Sequence, residues 1–118
     1  MTLADFIEHC LVKKGVEETT PFGPDVLVYK VGGKIFALTR PDEFPPRVNL
    51  KCDPDRALEL RDEYASVIPG YHMNKKHWNT LTLDGSIPEK QVLDMIDDSY
   101  DLVVKKLKKA DKEKLNAL

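Results

Sequence analysis

The stretch Val26-Leu27-Val28-Tyr29-Lys30-Val31-Gly32-Gly33-Lys34-Ile35-Phe36-Ala37-Leu38-Thr39 decides the fold class. Its two halves are β-rich runs, and they meet at a Gly-Gly pair. Both glycines take positive φ without steric cost, so the stretch reads as an antiparallel hairpin. Toward the C-terminus, residues 40–46 carry three prolines and form a loop. Arg47 to Cys52 follows as a third strand, with Val48 and Leu50 on one face. Asp53-Pro54 opens a helix, an N-cap acid before a proline in the first turn; Ala57, Leu60, Arg61 and Tyr64 share one side of it. Ser66 to Gly70 is a break around Pro69, and His77 to Leu83 is the last strand. Ser86-x-x-Glu89 reads as a capping box before a long helix with its apolar face at Val92, Met95, Ile96, Tyr100, Val103 and Leu107. Toward the N-terminus, Val16 to Asp25 is a proline- and glycine-bearing loop. Residues 3–13 form an amphipathic helix started by Thr2 and Asp5. The expected order is α-β-β-β-α-β-α. That is an α+β chain forming one domain over residues 1–118, with its core within about 3–109 and residues 110–118 a frayed tail.

Composition bounds the function without naming it. The chain has 118 residues, of which 42% are hydrophobic and 32% charged, and a formal net charge of −2. By area scaling about two-thirds of its surface can be buried, enough for one core. No apolar run approaches the ~18 residues of a membrane helix. Asp5 and Glu8 in the first turn do not suit a secretory signal. A cytoplasmic protein with no membrane partner is expected. The two cysteines, Cys10 and Cys52, make no disulfide framework. Near-neutral charge also lacks the footprint of a strong nucleic-acid binder.

The densest cluster of chemistry-bearing side chains is Gly70-Tyr71-His72-Met73-Asn74-Lys75-Lys76-His77-Trp78-Asn79-Thr80. Lys75 and Lys76 suit phosphate, and Tyr71 or Trp78 suits stacking on a base or sugar. On the structural side, Trp78 reads as a core anchor and the lysines as a solvated turn. A zinc site needs three or four ligands at short spacing, and neither the isolated cysteines nor His9, His72 and His77 supply it. Cys52 precedes a helix N-terminus, which lowers a thiol pKa, but Asp53 and Asp55 oppose that effect. Gly32-Gly33-Lys34 lacks the spacing of a phosphate loop. No metal, cofactor or catalytic set is expected. The basic residues Lys105, Lys108, Lys109 and Lys112 share a helical side with Asp94, Asp97, Asp98 and Asp101. Acids first and bases last suit the helix dipole, so that side reads as a solvated face.

Several blocks recur together in this order: Pro21-Phe22-Gly23-Pro24-Asp25, Val31-Gly32-Gly33-Lys34 with Phe36-Ala37-Leu38, Asn49-Leu50-Lys51-Cys52-Asp53-Pro54, residues 70–79, and Asp98-Ser99-Tyr100-Asp101-Leu102-Val103. With them the chain resembles the MmcQ/YjbR family of small bacterial proteins over about residues 3–109. The resemblance implies an antiparallel sheet flanked by helices, likened to double-wing DNA-binding domains. It brings no catalytic residues.

The leading expectation is a weak DNA-binding domain with no assigned reaction. It would contact DNA through Lys51, Tyr71, His72, Asn74, Lys75, Lys76, His77 and Asn79. Two other classes stay open. One is a small-molecule or enzymatic pocket around residues 71–79, and the other is a protein-interaction module.

Overall fold

The structure is a computed structural model and describes residues 1–71 and 73–118. Among these residues, six strands form one antiparallel sheet in the order β1-β2-β3-β4-β6-β5. The central hairpin is as the sequence predicts. β2 (Leu27–Val31) pairs with β3 (Lys34–Thr39) around Gly32 and Gly33, at φ 57° and 77°. Its register shifts between Tyr29 and Lys30, where Phe36 is the extra residue. This bulge lets Phe36 and Ala37 both lie fully buried, which strict alternation forbids. β4 (Arg47–Lys51) pairs with β3 on one side and with β6 (Trp78–Thr82) on the other.

Among the described residues, four helices complete the α+β fold: α1 (Leu3–Leu11), α2 (Pro54–Glu63), α3 (Glu89–Lys105) and α4 (Lys109–Asn116). α1 starts at the Thr2–Asp5 capping box, and Asp53 caps α2 with proline behind it. α3 lies across β2, β3 and β4. It buries Val92, Met95, Ile96, Ser99 and Val103, and the Tyr100 ring meets Phe36 edge-on at 5.4 Å. α1 packs beside α3, with Phe6 and Cys10 fully buried in the same core as Tyr29, Leu50 and Leu81. By register Leu50, Asn79 and Leu81 face these helices, whereas Leu38, Asn49 and Thr80 face the other way.

The structure departs from the sequence reading at four places. Part of the expected 16–25 loop is strand β1 (Val16–Thr19), which pairs with β2 along the sheet edge. Its two glutamates obscure the pattern, but an edge strand tolerates charge. The break around Pro69 contains β5 (Val67–Pro69), the opposite edge, where a proline is permitted. The Ser86–Glu89 capping box does not form: the N-cap is Pro88, without a side-chain cap. Asp84 takes both the N–H and the hydroxyl of Ser86 instead. Finally, the expected frayed tail is mostly α4, anchored by the buried side chain of Leu115. The long helix ends at Lys105 and the chain turns before α4 begins.

Candidate nucleic-acid interface

β4 and α3 are fastened together at one serine. Ser99 Oγ accepts the backbone N–H of Lys51 at 2.9 Å and donates to the Phe36 carbonyl. A hydroxyl serves both because it is one donor and a two-lone-pair acceptor. This bond fixes the end of β4 against the last turns of α3. Between them opens a groove of about 360 Å³ where Lys51, His77, Lys105 and Lys106 meet the start of α2 at Asp53 and Pro54. The Lys51 ammonium is held below the usual lysine range, first by burial and then by the nearby charges of Lys106 and Lys34. Among the described residues none of Lys34, Lys51, Lys105 and Lys106 makes an ion pair. Like charges gathered without ion-pair partners raise the energy of the unliganded fold, and an arriving anion relieves that cost.

The expected site residues divide among three places. Lys51 and His77 line the groove, and the His77 carbonyl accepts the Cys52 N–H at 2.8 Å. Asn74, Lys75 and Lys76 form the neighbouring turn. Asn74 Oδ1 accepts the Lys76 N–H, and Lys75 Nζ reaches back to the Gly70 carbonyl at 3.2 Å. The Lys76 side chain stays exposed. Tyr71 lies on the sheet face opposite the helices, under the Arg47 guanidinium. Asn79 points the other way and is 2% exposed. Its Oδ1 accepts from Arg61 Nε at 2.7 Å, while its amide nitrogen has no partner among the described residues. His72 lies outside the described residues. Trp78 is buried, though on the sheet face away from α3.

Sequence reasoning missed four contributors. Lys105 reads from sequence as part of a solvated face, yet it lines the groove with Lys51; Lys34 reads only as part of the hairpin turn, and Lys106 is not singled out. Arg61 was read only as a helix-side residue. Its guanidinium bonds Asn79 Oδ1 and the carbonyls of Lys75 and Trp78, so it holds the 75–79 segment in shape. A visible signal was the Lys105-Lys106 pair at the end of a helix. Its meeting with Lys51 depends on tertiary contact.

Neither thiol is primed as a nucleophile. Burial pushes Cys10 up to about 12, and burial followed by Asp53 and Asp98 pushes Cys52 up to about 11. Among the described residues no cluster of His, Cys, Asp and Glu can hold a metal ion, and no helix is long and apolar enough to cross a membrane.

A sequence profile of the YjbR family matches residues 11–102. The chain belongs to the YjbR family. It is 45% identical over 100 residues to the uncharacterized protein YbdF of Escherichia coli O157:H7, covering 85% of this chain and 82% of that one. It is 36% identical over 104 residues to the uncharacterized protein YjbR of Escherichia coli K12, covering 88% of each. Protein DR2400 of Deinococcus radiodurans has a similar crystal structure, with a TM-score of 0.92 at 41% identity over 98% of this chain and 88% of that one. A Pseudomonas syringae protein is similar at a TM-score of 0.76 and 28% identity, over 87% of this chain and 99% of that one.

Proposed function

We propose that this YjbR-family chain is a weak DNA-binding domain that takes the phosphate backbone into the groove between β4 and α3. The observation that carries the reading is the meeting of Lys34, Lys51, Lys105 and Lys106 without an ion pair among the described residues. Exposed Lys76 and groove-lining His77 extend the same basic end of the molecule. Phosphate contacts of this kind position a duplex without reading its sequence. Asp53 borders the groove, and Asp98 and Asp101 line the hollow beside it. Together with the net charge of −2, they keep the footprint to a few phosphates and the affinity near the ~10⁻⁴–10⁻⁶ M of nonspecific binding.

Duplex binding titrated over a range of salt concentrations tests the reading. Lys51→Met and Lys106→Ala should each weaken every duplex alike and lower the salt slope by about 0.9. Lys76→Ala should do so to a lesser extent, and Lys75→Ala least, because its ammonium already serves the Gly70 carbonyl. Lys108→Ala and Lys109→Ala are the silent controls. No retention of duplex or single strand at low salt, or loss of binding indifferent to these lysines, overturns it.

A further inference from the structure

A second site lies on the sheet face that the helices leave open. Leu38 of β3, Asn49 of β4 and Thr80 of β6 stand side by side there by register, and they floor a cleft of about 260 Å³. Phe22 and Val26 wall it from the loop after β1, and Tyr71 and Met73 from the segment before β6. Arg40, Glu43 and Arg47 close its remaining side. Phe22 and Tyr71 are 64% and 56% exposed, so two large aromatic side chains present apolar surface at the rim of the cleft.

Beside Glu43, the polar groups of this cleft include donors that face no carboxylate of their own. Thr80 Oγ1 accepts the Tyr71 N–H at 2.9 Å and donates to Asn49 Oδ1 at 2.5 Å. That orients the Asn49 amide with its oxygen toward Thr80 and leaves its nitrogen without a partner among the described residues. The Arg47 guanidinium lies 5.0 Å over the Tyr71 ring and makes no ion pair among the described residues. Arg40 is only loosely matched to Glu43, at 3.9 Å. Two guanidinium groups against one carboxylate leave one net positive charge between aromatic walls. Such a set recognises a carboxylate by a planar fork and its attached body by stacking.

From this geometry we infer that the open sheet face binds a small planar aromatic monocarboxylate, with its carboxylate on Arg47 and the Asn49 amide and its ring between Phe22 and Tyr71. The site is separate from the lysine groove, and the two stand or fall independently.

Naphthoate is the probe, and naphthamide is its uncharged counterpart. Titration of naphthoate followed by backbone amide NMR should saturate, with the shifted amides centred on Leu38, Asn49 and Thr80. Naphthamide should bind at least about tenfold more weakly. Arg47→Lys keeps the charge but loses the fork, and it should weaken naphthoate about tenfold. Asn49→Asp keeps an acceptor for Thr80 and removes the amide donor, so it should abolish binding while the protein still melts cooperatively. Lys51→Met should leave naphthoate binding unchanged. Shifts that do not saturate, equal binding of acid and amide, or loss of binding in Lys51→Met would each overturn the assignment.

Discussion

Ser99 Oγ stands 2.9 Å from the backbone nitrogen of Lys51, so one hydroxyl of α3 sets where the strand that carries the groove's central lysine comes to rest. The same oxygen donates to Phe36. Ser99→Ala strands a strand-end N–H and a carbonyl at a buried contact and should cost about 1–3 kcal/mol. Urea denaturation gives the stability loss. Faster hydrogen exchange at the Lys51 amide would locate it, and unchanged exchange there would refute the coupling.

Lys51→Met should hold or raise stability while weakening DNA binding. Burial and the lysines around it lower the folded-state pKa of this ammonium. At neutral pH both folded and unfolded chains carry the proton, and the fold bears the full cost. That cost is relieved as pH rises from the folded value toward the ordinary 10.5, where the unfolded chain alone still binds the proton. The advantage of the methionine variant over the parent should therefore be largest at neutral pH and shrink in strong alkali. Thermal melts at both pH values measure it.

Arg61→Lys should destabilise the fold by about 3 kcal/mol despite keeping the charge. A single ammonium cannot reproduce the guanidinium fork that joins Asn79 to the carbonyls of Lys75 and Trp78. Amide exchange should quicken across residues 75–79 and stay unchanged in β2 and β3.

Asp97 ties α3 to α1 through His9 at 2.8 Å and Lys13 at 2.5 Å. Burial pushes its carboxyl up, but the hydrogen bonds from Lys13 and His9 together outweigh it and hold the group below the usual value. Its contribution is complete above the ordinary 3.8 and is lost as pH falls through the lower folded value. The stability gap between the parent and Asp97→Asn should be steady at neutral pH and close in acid. It should also narrow in high salt, because the pair is partly solvated.

Phe36→Ala should cost about 3–5 kcal/mol, since the ring is fully buried at the bulge and meets Tyr100. Trp78→Ala should cost less, because that ring lies on the face away from the α3 core. Equal midpoint shifts for the two variants would contradict this placement.

The parts of the fold that the sequence displays are those governed by local chemistry. Gly32-Gly33 must turn, Thr2 and Asp53 must cap, and Val48 and Leu50 must face inward. Elements that depend on a neighbour were hidden. β1 is a strand because β2 offers an edge, and α4 holds because Leu115 finds the core. The Ser86 box failed because Asp84 accepts the Ser86 N–H that Glu89 would have to take and the helix starts only at Glu89, a contest that spacing alone does not reveal. Candidate site residues followed the same rule. The 71–79 cluster is dense in sequence, but an alternating strand and a turn send its members to opposite faces. The lysines that gather around Lys51 come from the hairpin and the end of α3, far apart along the chain.

Both rims of the six-stranded sheet are defended. β1 offers a partner strand Glu17 and Glu18, and β5 is three residues long and ends at Pro69. A second chain adding itself in register would have to desolvate those carboxylates on one side, or meet a position with no N–H to give on the other. Lateral growth into ribbons or fibrils is thus disfavoured at each end. Concentrated solutions of this protein should stay free of cross-β order even though its central strands are rich in valine and leucine.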